Sequence, residues 1–195
     1  MIISPKYRRR LVIMVKEPRP GRVKTRLGRS IGETASAWWF RHQTRQLLRR
    51  LQDPRWELII AVSPDHEGLQ SRVWPRGIAR IPQGQGNLGT RMKAVFEGLP
   101  HGPLCIIGAD IPGVTCHEIW QAFRSLGDHD ATFGPAPDGG YWLLGLKRNS
   151  PTPPQLFQGV RWSTATALQD TMANIPDLKI ATVAVLHDVD DAADL

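Results

Sequence analysis

Short apolar runs alternate with helical patterns along the whole chain. Leu11–Val15 is an aliphatic run of five residues that ends at Lys16 and Glu17, and it predicts a first buried strand. Leu58–Val62, Ile78–Ile81 and Pro103–Gly108 repeat that signature and predict strands two to four. Between the first two runs, residues 16–30 are rich in Pro, Gly and Arg and read as a loop. Residues 33–52 then read as a long helix: Trp38, Phe40 or His42, Leu47, Leu48 and Leu51 recur at roughly helical spacing, and Asp53-Pro54 stops it. A short helix is predicted at 67–73 and another over Gly89–Gly98. Thr115 and Glu118 stand at capping-box spacing, so a helix should run over 116–126. Ala131–Gly134 and Tyr141–Leu146 read as strands around the turn Pro137-Asp138-Gly139-Gly140. A Pro-rich segment follows, then a helix at 164–174 and a last strand over Ala181–Leu186.

Strands alternating with helices predict an α/β protein with a mainly parallel sheet. The strand pair at 131–146 breaks the alternation, so one strand there should run antiparallel. The length of 195 residues suits one domain, 1–195, and no internal repeat or linker divides it. The basic residues before Leu11 mimic a signal peptide, but the apolar run is too short for a secretory core or a membrane span. Cys105 lies in an apolar run and Cys116 at a helix start, with no metal or disulfide pattern. A cytoplasmic protein without a membrane partner is therefore expected.

Charge sharpens the picture. The net charge is +7, which raises nucleic-acid binding. The distribution points elsewhere: residues 1–100 hold 20 Lys/Arg and 7 Asp/Glu, and residues 101–195 hold 5 and 11. A basic half beside an acidic half is what a phosphate grip facing a metal site would need, although surface bias alone would also produce it.

Five motifs carry candidate chemistry. The first, KEPRPGRVKTRLG at 16–28, clusters Lys16, Arg19, Arg22, Lys24 and Arg26 around Gly21 directly after strand one. Cations beside a glycine suit phosphate, and open α/β sheets bind ligands at the carboxyl ends of their strands. The Walker A spacing is absent. The second, QGQGNLGTRM at 83–92, places Gln83, Gly84, Gly86, Asn87 and Arg91 in a Gly-rich stretch. Its G-x-G-x-x-G match follows the third strand rather than the first, which argues against a dinucleotide and for a loop beside a base or ribose. The third, CIIGADIPG at 105–113, sets Asp110 at a strand's carboxyl end, where a carboxylate can hold Mg²⁺. The fourth, GPAPDGGYWLLGL at 134–146, is a hairpin turn whose two glycines beside Asp138 would let a substrate approach the backbone. The fifth, LHDVDD at 186–191, would bring Asp188 and Asp190 to one side of an extended chain, able to meet Asp110 around a cation. Each also has a plain reading: a solvated loop, a flexible loop, a turn, a hairpin and an acidic tail.

In this order, MVKEPRPGRVKTRLG, QGQGNLGTRM, IIGADIPG, GPAPDGGYWLLGL, the WST at 162–164 and DVDD resemble the radical-SAM/selenodomain-associated transferase family. That family is glycosyltransferase-like and belongs to the nucleotide-diphospho-sugar transferase (GT-A) superfamily, and the chain is similar also to phospholactate and molybdenum-cofactor guanylyltransferases. The resemblance covers nearly the whole chain. It implies a single GT-A, Rossmann-like domain with helices on both faces of a mostly parallel mixed sheet, a nucleotide-activated small-molecule substrate, and Mg²⁺ or Mn²⁺. Lys24 and Arg26 match the family's phosphate-facing KTRL, Asp110 its metal carboxylate, and Asp138, Gly139, Gly140 and Tyr141 its acceptor-side DGGY. Asn87 stands where the family is expected to carry Asp, which puts base or sugar preference in question. The expected activity is glycosyl transfer from a nucleotide-diphospho-sugar. The alternative is nucleotidyl transfer to a phosphorylated acceptor, and nucleic-acid binding ranks third.

Overall fold

The computed structural model describes residues 7–187. The chain forms a seven-stranded sheet in the order β3-β2-β1-β4-β6-β5-β7. Strands β1 (Arg10–Lys16), β2 (Glu57–Ser63), β3 (Ala79–Pro82) and β4 (Leu104–Gly108) are parallel neighbours. Strand β6 (Tyr141–Leu146) runs antiparallel between β4 and β5 (Ala131–Pro135), and β7 (Ile180–Thr182) lies parallel to β5 at the edge. The fold is therefore a mixed, mostly parallel α/β domain, with its one reversal at the strand pair that breaks the alternation.

Both sheet faces are covered, and the side-chain alternation of the strands divides the core in two. On one face Leu11, Ile13 and Val15 of β1 pack with Phe40, Leu47 and Leu48 of α2 (Glu33–Arg50) and with Ile119, Ala122 and Phe123 of α5 (Cys116–Ser125). On the other, Val12 packs with Met92, Val95 and Phe96 of α4 (Leu88–Gly98) and with Phe133 and Leu144. Helix α5 begins with the expected capping box: Glu118 Oε2 accepts from the Thr115 amide at 2.8 Å, and Thr115 Oγ1 accepts from the His117 amide at 3.1 Å.

Five expectations need correction. A seven-residue helix, α1 (Thr25–Ile31), occupies part of the stretch read as a loop. Its central Gly28 looks like a breaker in the sequence, but it sits against Ser36 and Glu33 of α2, and a Cβ there would lie 3.1 Å from Ser36 Oγ. The helix exists because α2 covers it. Trp38 is 66 % exposed, with the Arg41 guanidinium 5.6 Å from its ring centroid, while Trp39 packs on the core instead. The short third helix is α3 (Asp65–Gln70), and the sixth, α6 (Ala167–Ala173), starts three residues later than 164. Strand β7 covers only three residues; beyond it, Val183 and Leu186 donate to Phe133 and Pro135 carbonyls without forming a regular ladder. Cys105 and Cys116 are both free thiols, and burial raises the Cys105 thiol far above its ordinary range. No helix among the described residues is long and apolar enough to cross a membrane.

Candidate functional site

The chain leaves β1, builds α1 and α2 and returns to form β2 on one side, and later crosses to place β4 on the other. The carboxyl ends of β1 and β4 therefore meet at the point where strand order reverses. Such points leave a crevice that loops cannot fill. The basic loop after β1 and the Asp110 loop after β4 both empty into this crevice.

Lys24 caps α1 in the left-handed conformation, φ 45° and ψ 50°. Its side chain is 7 % exposed, and Nζ meets Asp110 Oδ2 at 2.6 Å. Asp110 in turn folds back over the end of β4, and a Cβ on Gly108 would come within 2.8 Å of Asp110 Oδ1. Residue 108 must lack a side chain for the carboxylate to take that place. Elsewhere in the loop, Arg19 and Arg22 both reach Glu67, at 3.4 and 3.3 Å.

Two chambers open from the crevice. The first, about 770 Å³, is lined by Lys16, Arg22, Lys24, Arg26 and Arg91, with Gln83, Gly86 and Asn87 on the facing wall and Asp110 its one acidic lining residue among those described. The second, about 490 Å³, is walled by Met92, Ile106, Ile111, Tyr141, Trp142 and Trp162, with Asp138 and Gly140 at its rim. Arg26, Asp110 and Ser163 line both, so the chambers share a seam. Both volumes lie in the range of small-molecule sites.

The Gly-rich stretch serves the first chamber mainly through its backbone. Gln83 is buried, and its amide donates to the Val15 and Ala61 carbonyls at 2.9 and 2.8 Å, tying the ends of β1 and β2 together. Asn87 caps α4, its Oδ1 accepting from the Thr90 amide at 2.9 Å. Aspartate and asparagine can both make that bond, so the cap does not require the missing charge. Arg91 donates Nε to the Gly86 carbonyl at 2.9 Å. In the hairpin turn, Asp138 Oδ1 accepts from the Gly140 amide at 2.9 Å. Tyr141 meets Phe133 edge to face, and burial pushes its phenol well above the ordinary range, so it stays an O–H donor.

Three expected residues do not line either chamber. Gly21, with φ 73°, turns the basic loop and faces Glu33. Gly84 donates its amide to Asp65 at 3.2 Å. Gly139 faces away from the seam, where its missing side chain admits the Ala165 backbone rather than a substrate. Asp188 and Asp190 lie outside the described residues. Among the described residues no group of three His, Cys, Asp or Glu side chains assembles to hold a metal ion. The family resemblance gives the WST segment no role, yet Trp162 and Ser163 stand in the cleft wall. No composition or periodicity marks such residues; only their backbone conformation does.

Fold and cleft together define a single-domain protein of the nucleotide-diphospho-sugar transferase fold. A candidate nucleotide-diphospho-sugar transferase from Desulfovibrio desulfuricans G20 is similar at 30 % identity and TM-score 0.83, over 95 % of this chain and 83 % of that one. The inositol-1-phosphate CTP transferase of T. maritima shares the fold at 11 % identity and TM-score 0.58, over 96 % and 91 % of the two chains. So does CMP:2-keto-3-deoxy-manno-octonic acid synthetase complexed with CTP, at 13 % identity and TM-score 0.57, over 95 % and 94 %. No curated protein sequence matches. Residues 46–164 match a family model described as an uncharacterized protein conserved in bacteria (DUF2064), and the chain belongs to that family.

Proposed function

We propose that this protein is a glycosyltransferase-like enzyme that takes a nucleotide-diphospho-sugar, with a divalent cation, and passes the glycosyl group to a small acceptor. The observation that carries the reading is the seam. A chamber lined by cations meets a chamber lined by aromatic rings at Arg26 and Asp110. Diphosphate belongs in the first, and the glycosyl group and acceptor belong in the second, where aromatic faces and a few polar groups suit a sugar ring. Lys24 and Arg26 stand where charge builds on the departing diphosphate, so fixed cations there lower the barrier without reorganising. The apolar walls exclude water from the transferred group, and the chambers hold donor and acceptor at fixed positions. The resemblance to the D. desulfuricans protein supports the donor class. The finer placement among radical-SAM/selenodomain-associated transferases is part of this proposal and rests on the motif order.

Asp110 fits a metal role. Mg²⁺ takes few protein carboxylates and completes its shell with phosphate and water, so one strand-end carboxylate beside a phosphate chamber suffices. The Lys24 ammonium 2.6 Å from Oδ2 supports this reading, because it places a positive charge against the same carboxylate. A bound ion would supply further charge neutralisation on the phosphates.

A second reading, nucleotidyl transfer, draws on a different observation. Five cations line the first chamber, enough for a triphosphate, and the more distant fold neighbours include CTP-dependent proteins.

Thermal shift with UDP-, GDP- and dTDP-sugars and with nucleoside triphosphates, each with and without Mg²⁺ or Mn²⁺, tests both. A ligand at 100 times its Kd stabilises by about 2.7 kcal/mol, or roughly 5–11 °C for a chain of this size. The proposal expects a sugar nucleotide to give the larger shift, and Asp110→Asn to remove its metal-dependent part while leaving the fold intact. A shift with triphosphates alone favours the second reading.

A further inference from the structure

The segment 161–166 is built as a partition of the cleft. Arg161 clamps Asp170 with three hydrogen bonds: its amide to Oδ2 at 3.1 Å, Nε to Oδ2 at 3.0 Å and a terminal nitrogen to Oδ1 at 2.8 Å. Thr164 Oγ1 donates to the Arg161 carbonyl at 2.7 Å and lies 3.0 Å from Thr166 Oγ1. The segment is also wedged from both sides. A Cβ on Gly89, in the first turn of α4, would lie 2.7 Å from Trp162, and a Cβ on Gly139 of the hairpin would strike the Ala165 backbone. One side of the wedge is thus the Gly-rich wall of the cationic chamber, and the other is the acceptor hairpin.

Ser163 sits at the crest with φ 59°. Of the three described non-glycine residues with positive φ, two line the cleft: Lys24 the first chamber and Ser163 both. Left-handed backbone at a β-carbon residue persists only where surrounding structure imposes it, and such residues gather at functional sites. The Ser163 side chain is exposed in the cleft and makes no hydrogen bond with any described residue. Beside it, the Trp162 indole is packed against the Gly89 position, which fixes the backbone that carries Ser163. A hydroxyl held by these contacts in the wall that both chambers share is placed to bond a ligand that spans them.

We infer that the Trp162-Ser163-Thr164 segment is a rigid partition whose Ser163 hydroxyl recognises the glycosyl group of the donor where it crosses between the chambers. This rests on the donor reading above. It makes Ser163 a specificity residue and the Arg161–Asp170 clamp its positioning device.

The test measures the affinities of UDP and UDP-glucose, GDP and GDP-mannose, and dTDP and dTDP-glucose, with Mg²⁺, for the full chain and for Ser163→Ala and Ser163→Gly. Losing one neutral hydrogen bond should weaken the sugar nucleotide that the wild type binds about 3- to 10-fold and leave its nucleoside diphosphate unchanged. Ser163→Gly should lose the same discrimination even though it relieves the left-handed backbone. That separates the hydroxyl from the strain. Equal weakening of both ligands, or of neither, overturns the inference and leaves the donor reading standing. If the wild type binds no sugar nucleotide more tightly than its diphosphate, the donor reading falls and takes this inference with it.

Discussion

Gly139→Ala should disable the cleft although Gly139 itself lines neither chamber. Gly139 has φ 84°, a region that disfavours any side chain by about 1–2 kcal/mol. The three atoms its new Cβ would meet first are the carbonyl oxygen, carbonyl carbon and Cα of Ala165. All three are backbone, so no rotamer change can relieve the clash. The hairpin and the 161–166 segment must separate, which adds the roughly 1–3 kcal/mol of an overpacked site. The total is about 2–5 kcal/mol, or roughly 4–20 °C in Tm for a chain of this length. Tryptophan fluorescence in a urea titration reads the stability, and Trp162 and Trp142 lie in the wall that should move. Nucleotide-sugar binding should fall with it, because the Leu168 amide bonds the Gly139 carbonyl at 3.1 Å and the whole partition shifts together. Gly140→Ala is the control: its φ is ordinary, and its Cβ would meet the Asp138 carboxylate at 3.1 Å, a side chain that can give way. If Gly139→Ala melts within 2 °C of wild type and binds normally, to set a threshold of about half the smallest expected shift, the packing argument is wrong.

Two further outcomes are expected. Lys24→Met should weaken nucleotide binding by about 1.5–3 kcal/mol, the worth of a charged hydrogen bond, in isothermal titration; unchanged affinity would remove Lys24 from the phosphate grip. Arg161 holds the Asp170 carboxyl down to about 2, so the clamp stabilises the fold above the ordinary carboxyl pKa near 4 and is lost as pH falls toward 2. Asp170→Asn should therefore lower Tm at neutral pH, and the gap to wild type should close between about pH 4 and pH 2 in a series of melts; a gap independent of pH would show that the clamp does not titrate as described.

Much of the fold was legible in the sequence because burial repeats locally. A strand buried on both faces is an unbroken aliphatic run, and Leu11–Val15, Leu58–Val62 and Leu104–Ile107 announce themselves without any partner. The Thr115–Glu118 box and the Asp53-Pro54 stop are likewise settled within a few residues of chain. The basic loop and Asp110 could be placed at strand ends for the same reason, and the alternation of elements put those ends at one edge of the sheet. Tertiary structure decided what depends on a distant partner. Helix α1 forms although Gly28 interrupts it, because α2 lies against that glycine. Trp38 faces solvent and Trp39 the core, a choice of about 100° around the helix that adjacent tryptophans leave open in the sequence. Gly139 in the DGGY turn proves to be a packing position, and Ser163, which no motif logic had reached, stands at the seam. Periodicity is a property of neighbours in the chain, whereas the left-handed backbone at Lys24 and Ser163 and the Arg161–Asp170 clamp are imposed by segments far apart in sequence, which no local pattern encodes.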